Sequence, residues 1–314
     1  MGRGSRAIAA RSRIVNTRVV IITGAASGIG RALAVRLARR GDHLILVDVD
    51  EAGLVRLATE LSGVAARSGG SARAEPADVR DADRIDEIVG DAWERHGRVD
   101  VMVNNAGIGL GGASDELTVE HWQRVFDINI SGVMHGVVAA YPRMVAAGSG
   151  QIVNVASLAG LIPSPFLAAY SASKHAVVGL SLSLAAEAAG TGVGVTCVCP
   201  GFTDTPILDS LGPDDLPRTS LAEHGRRYAA GTPGGIYDVE ALAADIERGI
   251  DSRAPMVVSP RAARWMWRLV RLSPRLGLRL TSDVALKTRR MLARAANVTE
   301  QSNVDESAAA KVTA

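Results

Sequence analysis

The chain has 314 residues, of which 47% are hydrophobic and 4% aromatic, a composition typical of an α/β protein with a substantial core. Its formal net charge of +2 gives no reason to expect a nucleic-acid partner. The two cysteines exclude a disulfide framework and favour a reducing cytoplasm, and no apolar run reaches the ~18 residues that predict a transmembrane helix.

The first segment, residues 1–17, contains four arginines and no acidic side chain. We predict that it forms a flexible basic leader ahead of the folded domain. A targeting segment and a phosphate-binding arm are the alternatives, although its apolar run AIAA is too short for a secretory signal.

The next segment predicts a dinucleotide-binding turn. Residues 18–23 form a β-branched run typical of a buried parallel strand, and TGAASGIG follows directly before a helical pattern over 28–40. Gly24, Gly28 and Gly30 would let the backbone approach a pyrophosphate, to which the helix N-terminus offers free N–H groups.

A second strand, predicted at 43–48, ends in Asp48. Its carboxylate would accept hydrogen bonds from the adenosine ribose and would repel a 2′-phosphate. No arginine or lysine is present at positions 25–27 or at position 49. The charge pattern therefore favours NAD over NADP.

The same alternation of strand and helix continues along the chain. Further strands are predicted at 72–77, 99–104, 150–156, 193–199 and 255–259, with the main later helices at 81–96, 118–147 and 170–190. This order predicts a doubly wound (Rossmann) α/β fold, in which helices cover both faces of a parallel seven-stranded sheet in three layers. Cys197 and Cys199 share one face of their strand, where we expect two buried small hydrophobes; a redox or metal role is the alternative, and no metal site is predicted.

Tyr170 and Lys174 stand four residues apart in YSASK, thirteen residues after Ser157. Positions i and i+4 lie on the same face of a helix, so the phenol and the ammonium would point into the same space. A nearby cation favours the phenolate, and we therefore expect Lys174 to lower the pKa of Tyr170 and make it a usable general acid or base.

With these motifs in order, residues 18 to about 258 resemble the classical short-chain dehydrogenase/reductase family. The matching motifs are TGAASGIG, the pair Asp78 and Val79, NNAG at 104–107, Asn129 in FDINISG, Ser157, YSASK, and Pro200-Gly201 followed by Thr203 and Thr205. The resemblance implies an NAD(P)-dependent oxidoreductase that interconverts a secondary alcohol and a ketone, or an alcohol and an aldehyde. The alternatives are a non-catalytic NAD-binding sensor or scaffold that uses the same fold, and a membrane-surface binding protein that uses its C-terminal helix.

The resemblance also implies roles for individual residues. Tyr170 would exchange a proton with the substrate oxygen, Lys174 would hold the nicotinamide ribose, Ser157 would hydrogen-bond the substrate oxygen, and Asn129 would fix a water that links Lys174 to solvent. The implied cofactor contacts are Gly24, Ser27, Gly28, Ile29, Gly30, Asp48, Asp78, Val79, Asn105, Ala106, Gly107, Tyr170, Lys174, Pro200, Gly201, Thr203 and Thr205. The simpler alternatives are that Ser157 caps a turn and that Asn129 satisfies helix backbone groups.

The segment 202–235 interrupts the alternation and is rich in glycine, proline and aspartate. It stands where the resembled family places its substrate lid, and a long irregular segment beside an active site is usually functional. We therefore assign 18–259 to one Rossmann-type catalytic domain that includes a lid over its substrate.

Residues 260–314 form a predicted basic amphipathic helical extension with a polar tail. Between 261 and 290 there are nine basic residues and one acid, Asp283, and Ser273-Pro274 is expected to restart the helix. Six arginines spaced three or four apart would form a stripe beside Trp265 and a row of leucines; they are Arg261, Arg264, Arg268, Arg271, Arg275 and Arg279.

This pattern predicts an interfacial membrane helix, and the alternative is a helix that packs on its own core, closes the substrate pocket or contacts a partner subunit. The partners expected are thus a small and lipophilic alcohol or ketone, a second subunit in a homodimer or homotetramer, and a membrane surface contacted by 261–290. The location expected is the cytoplasm with peripheral membrane association.

Overall fold

The computed structural model describes the backbone of residues 17–312 and the side chains of residues 17–295, so the predicted leader lies outside the described residues except for Thr17. Within this range seven strands form one sheet: Val19–Thr23 (β1), His43–Asp48 (β2), Ser71–Pro76 (β3), Val101–Asn104 (β4), Gly150–Val155 (β5), Val193–Pro200 (β6) and Met256–Ser259 (β7). All neighbours are parallel, in the order β3-β2-β1-β4-β5-β6-β7.

The helices of the described range surround this sheet. They are Gly28–Arg40 (α1), Glu51–Ala66 (α2), Ala82–His96 (α3), Val119–Phe126 (α4), Gly132–Ala147 (α5), Ala168–Glu187 (α6), Gly225–Ala230 (α7), Val239–Asp251 (α8), Arg261–Leu272 (α9) and Pro274–Val312 (α10). Alternate residues of β1 pack to opposite sides: Val20 and Ile22 join the cluster with α1, α2 and α8, whereas Val19 and Ile21 join the one with α3, α5 and α6. The predicted three-layer, doubly wound fold is confirmed.

The strand order reverses between β1 and β4, where a doubly wound sheet opens a crevice at its carboxyl edge. Thr23 at the end of β1 joins the two strands there, because its hydroxyl accepts hydrogen bonds from the N–H groups of Asn105 and Ala106 at 3.0 Å each. The turns that follow β1 and β4 are therefore fixed against each other.

The prediction of a single α-helix over 118–147 is wrong, because the helix is interrupted in its middle. A π-helical segment, Asp127–Ser131, separates α4 from α5 and contains Asn129. One wider turn shifts the register of the side chains, and such segments are frequent at functional sites. Here the side chain of Asn129 is fully buried and reaches the backbone of Ile108.

The predicted restart at Ser273-Pro274 is confirmed, because α9 ends at Leu272 and α10 begins at Pro274. The two helices pack tightly beyond this break: a Cβ added at Gly277 would lie 2.9 Å from Cγ1 of Val270. Among the described residues, no helix is long and apolar enough to cross a membrane.

The two cysteines of β6 are both buried, with their Sγ atoms 3.7 Å apart on one face of the strand. They pack in an apolar cluster with Val258 and Ala263, as expected for small hydrophobic residues. No group of three or more histidine, cysteine, aspartate or glutamate side chains in the described part of the chain is arranged to hold a metal ion.

Candidate active site

The glycine turn after β1 forms a cradle that larger residues would fill. Gly24 adopts a φ of +65°, and a Cβ added there would lie 2.8 Å from Cα of Ala106. A Cβ added at Gly30 would lie 2.1 Å from the carbonyl oxygen of Gly24. Asn105 holds the turn in place because its Nδ2 donates to the carbonyls of Thr23 at 2.9 Å and Gly24 at 3.1 Å.

The N-terminus of α1 opens into this cradle, and no side chain in the described part of the chain caps it. Its N-cap residue, Ser27, is exposed and makes no side-chain capping bond, and no acidic residue lies in the first turn. Free N–H groups and the positive end of the helix dipole suit an anion at this position. A Cβ added at Gly28 would lie 3.2 Å from Cγ2 of Thr205, which brings the segment after β6 against the same turn. The cradle therefore fits the pyrophosphate of a dinucleotide.

Asp48 lies at the edge of the cradle, at the end of β2. Its Oδ2 accepts a hydrogen bond from the N–H of Ala26 at 2.9 Å, and its Oδ1 accepts one from Asp50 at 3.0 Å. These bonds hold the carboxylate at the position where sequence analysis expects the adenosine ribose.

The two residues predicted to contact adenine, Asp78 and Val79, lie in different surroundings. Asp78 is bonded by the Arg80 guanidinium, with Nε at 2.9 Å from Oδ2, and this bond holds the pKa of Asp78 below its usual range. Val79 is buried and packs against Gly132, where a Cβ would lie 2.6 Å from Val79 Cγ2. Val79 therefore has little side-chain surface left for an adenine ring.

Lys174 lies beneath Tyr170 on the same face of α6, with Nζ 5.7 Å from the centroid of the phenol ring. The lysine is only 4% exposed, and its Nζ donates to the carbonyl of Val155 at 3.0 Å. Burial lowers the pKa of Lys174 to about 8, because an ammonium loses hydration in an apolar surrounding.

The expected effect of Lys174 on Tyr170 is wrong for this structure. Burial raises the pKa of Tyr170, and the hydrogen bond with Ser157 opposes that rise in part. The physical reason is that the cavity desolvates the phenolate more than its neighbours stabilise it.

Ser157 follows β5 and caps a turn, whereas its hydrogen bond to a substrate oxygen stays a prediction. Its Oγ accepts a hydrogen bond from the N–H of Ala159 at 3.1 Å, so it caps the short 3₁₀ turn Leu158–Gly160. The same side chain lines the cavity beside Tyr170, whose pKa it lowers in part.

Asn129 is tied to the protein at three points. Its Oδ1 accepts from the N–H of Ile108 at 2.9 Å, and its Nδ2 donates to the Ile108 carbonyl at 3.0 Å and to Oγ of Ser173 at 3.1 Å. Both amide hydrogens are thus used, and the role of fixing a water beside Lys174 stays a prediction.

Ser173 is a positioning residue that sequence reasoning missed. It is fully buried and donates to the Tyr170 carbonyl at 2.7 Å, so it links Asn129 to the helical turn that carries the phenol. Its place inside YSASK was the available signal.

One cavity of about 200 Å³ is lined by several of these residues, although Asp48 and Asn129 do not border it. Ile29, Asn105 and Gly107 line its cradle end, Ser157, Tyr170 and Lys174 line its floor, and Pro200, Gly201, Thr203 and Thr205 line the side after β6. The predicted lid supplies Phe202, Leu211 and Tyr228, and the C-terminal helices supply Met266, Leu280 and Val284. The sequence did not decide whether residues 261–290 cover the pocket, because pocket closure was one of several roles proposed for this segment.

Comparison with known proteins decides the family. A family model described as short chain dehydrogenase matches residues 18–216. The chain belongs to the short-chain dehydrogenase/reductase family. Its members interconvert alcohols and carbonyl compounds with NAD(P), and this protein is accordingly an oxidoreductase of that kind, which disfavours the sensor alternative.

Individual relatives agree with this assignment. The chain is 36% identical over 207 residues to D-beta-hydroxybutyrate dehydrogenase of Rhizobium meliloti, a match that covers 66% of this chain and 80% of the relative. A short-chain dehydrogenase/reductase of Burkholderia phymatum, solved in complex with NAD, superposes with a TM-score of 0.74 at 32% identity, covering 83% of this chain and 95% of that one. A short-chain dehydrogenase of Sphingobium yanoikuyae, solved with NADPH, has a TM-score of 0.65 at 32% identity, covering 79% and 91%. Both dinucleotides therefore occur among its structural neighbours.

Proposed function

We propose that this enzyme is an NAD-linked dehydrogenase or reductase of a lipophilic secondary alcohol or the corresponding ketone. The observation that carries the proposal is the cavity itself, in which Ser157, Tyr170 and Lys174 are gathered on the floor beneath a roof of leucine, valine, methionine and aromatic side chains. A pocket with few polar groups at one end favours a substrate that has one reacting oxygen on an apolar body.

In this proposal the residues of the glycine cradle together with Lys174 would hold a nicotinamide dinucleotide that would supply the hydride chemistry, while the protein supplies position and protons. The Tyr170 hydroxyl passes a proton to or from the substrate oxygen. The Ser157 hydroxyl donates a hydrogen bond to the same oxygen and stabilises the negative charge that develops on it. Both side chains line the same cavity, so a substrate oxygen bound there would meet both hydroxyls.

Lys174 supports the phenol from below and is proposed to hold the nicotinamide ribose. With a pKa of about 8 it exchanges its proton near neutral pH, whereas an exposed lysine remains charged. Its bond to the Val155 carbonyl fixes the Nζ beside the end of β5, from which Ser157 follows.

The test of the proton donor is Tyr170→Phe. General acid–base catalysis contributes roughly 10²–10⁴-fold, so we expect kcat to fall by at least about 100-fold while NADH binding, followed by fluorescence, stays unchanged. The matched control is Tyr228→Phe, since Tyr228 lines the same cavity but donates its hydroxyl to the Pro165 carbonyl at 2.7 Å. Turnover would be measured with NAD and a series of secondary alcohols of increasing chain length. A Tyr170→Phe enzyme that retains more than a tenth of wild-type kcat would contradict the assignment.

The preference for NAD is proposed on the position of Asp48 at the edge of the cradle, beside the exposed Val49. Replacing Asp48 with alanine and Val49 with arginine removes an acceptor for the ribose hydroxyls and adds a cation for a 2′-phosphate. We expect the ratio of kcat/KM for NAD over NADP to exceed one in the wild type and to reverse in the double variant. A wild-type enzyme that prefers NADP would refute this part of the proposal.

A further inference from the structure

The helix α9 has two unlike faces. Its inner face packs on the domain: Ala263 and Val270 are buried, and Met266 lines the cavity. Its outer face carries Trp265 and Leu272, which are 69% and 86% exposed. Leaving large apolar side chains in water is unfavourable, so a contiguous apolar face of this kind indicates a contact surface.

The outer face continues past the break at Ser273 into the first turns of α10. Leu269 on α9 and Leu276 and Leu280 on α10 lie at helical spacing, and each is more than a third exposed. Leu280 also lines the cavity, so one side chain borders both the pocket and the outer surface. The pocket therefore opens beside the apolar face.

All the charged side chains in the stretch of sequence that forms this face are positive. Six arginines lie between 261 and 279, and the first acidic residue after 261 is Asp283. Elsewhere arginines meet carboxylates, as in Arg36 with Glu247 and Arg143 with Asp86. Among the side chains described through residue 295, none of the six arginines forms an ion pair, and Arg268 instead lies over the Trp265 ring at 5.6 Å.

We propose that the outer face of α9 and the start of α10 docks this enzyme on an anionic membrane surface. Exposed tryptophan and leucine side chains can enter the headgroup boundary, while unneutralised arginines attract acidic lipid headgroups. A second copy of the chain is the poorer occupant, because a two-fold contact through this face would set arginines against arginines.

Docking in this orientation sets the mouth of the pocket against the lipid. A lipophilic alcohol or ketone dissolved in the bilayer then enters beside Leu280 without crossing bulk water. This step rests on the proposed apolar substrate, whereas the docking itself rests only on the surface of α9 and α10.

The test is sedimentation of the full chain with vesicles of phosphatidylglycerol and phosphatidylcholine in equal parts, beside vesicles of phosphatidylcholine alone. We expect binding to the anionic vesicles that weakens as salt rises from ~0.05 to ~0.5 M, since salt screens surface charge. Arg268→Gln with Arg275→Gln and Arg279→Gln should weaken it roughly 100-fold, at about five-fold for each arginine near the surface.

Trp265→Ser with Leu272→Ser should reduce vesicle binding at least about ten-fold, because it removes the most exposed apolar groups of the face. The matched control is Val55→Ser with Val119→Ser, which removes two exposed apolar side chains from α2 and α4 and should leave binding unchanged. Unaltered NADH binding in each variant reports an intact fold and is independent of the substrate. Turnover of secondary alcohols by the wild type in free solution tests the proposed function separately.

Three outcomes would overturn the docking proposal. The first is that the wild type does not sediment with anionic vesicles. The second is that the control variant loses as much binding as the test variant. The third is that Trp265→Ser with Leu272→Ser lowers the mass of the oligomer in light scattering while the wild type binds no vesicles. The last result would assign the face to a subunit interface.

Discussion

Burial shifts the pKa values of Tyr170 and Lys174 in opposite directions, and both shifts favour the uncharged form of the side chain. The pKa of the phenol rises and that of the ammonium falls to about 8, because neither charge is well hydrated at the floor of the cavity. Of the two side chains, Lys174 is therefore the one that exchanges its proton nearer to neutral pH.

The depressed pKa of Lys174 predicts a dependence of stability on pH. The unfolded chain binds this proton up to its ordinary value of 10.5, whereas the folded protein releases it near 8, so stability gains as pH rises through that window. Relative to Lys174→Met, the wild type should gain about 2 kcal/mol of unfolding free energy between about pH 7 and about pH 9.5. Urea unfolding of both proteins at the two pH values measures the difference. A difference that does not change with pH would mean that Lys174 is hydrated like an exposed lysine.

At the scale of elements, the turn between β1 and α1 depends on the absence of a side chain at Gly30. Its added Cβ would lie 2.1 Å from the Gly24 carbonyl oxygen and 2.7 Å from Nδ2 of Asn105, both of which belong to the cradle. Backbone cannot move aside as the end of a flexible side chain can, so the turn has to shift.

We expect Gly30→Ala to weaken NADH binding at least about ten-fold and to destabilise the fold by roughly 1–3 kcal/mol, as overpacking does. The control is Gly63→Ala in α2, since a Cβ at Gly63 meets nothing within 4 Å. That change should stabilise the protein by up to about 1 kcal/mol through helix propensity alone. Fluorescence titration with NADH and thermal unfolding measure both effects. Normal cofactor binding by Gly30→Ala would mean that the cradle is more open than its contacts indicate.

The C-terminal helices α9 and α10 have one face that packs on the domain and one that is exposed. On α10, Val284 packs in the cluster that contains Leu211 and Tyr228 of the lid, and Arg289 lies over the Phe166 ring at 5.7 Å. Packing on the domain, one of the alternatives drawn from the sequence, therefore applies to one face of these helices, and contact with a membrane stays a proposal for the other face.

At the scale of the molecule, apolar side chains on the outer faces of α5 and α6 remain without cover. Met134, Val138 and Leu182 are exposed there, and a Cβ added at Gly179 would meet nothing within 4 Å. We expect a homodimer or homotetramer in which these helices pair across a two-fold axis.

Light scattering at micromolar concentration tests this assembly. Val138→Glu with Leu182→Glu would bury like charges at the pairing surface and should at least halve the measured mass. Val119→Glu, which alters an equally exposed valine at the start of α4, should leave the mass unchanged. A wild-type monomer would count against the expected pairing.

The sequence alone determined the sheet, the glycine turn and the gathering of Ser157, Tyr170 and Lys174. These features follow from local rules, because buried parallel strands need β-branched runs, a turn like that at Gly24 needs a positive φ, and a spacing of four places two side chains on one helical face. Ordered motifs such as NNAG and YSASK then connected the local elements to a known family.

Only the tertiary structure decided what surrounds each group. The sign of the pKa shift at Tyr170 depends on how much apolar surface closes over it, and that surface includes residues as distant in the chain as Leu211 and Val284. The partners of Asn129 depend on a π-helical turn whose register no hydrophobic period encodes. The two faces of α9 became distinct because burial is a property of the packed chain, whereas a helical pattern contains only the angles between side chains.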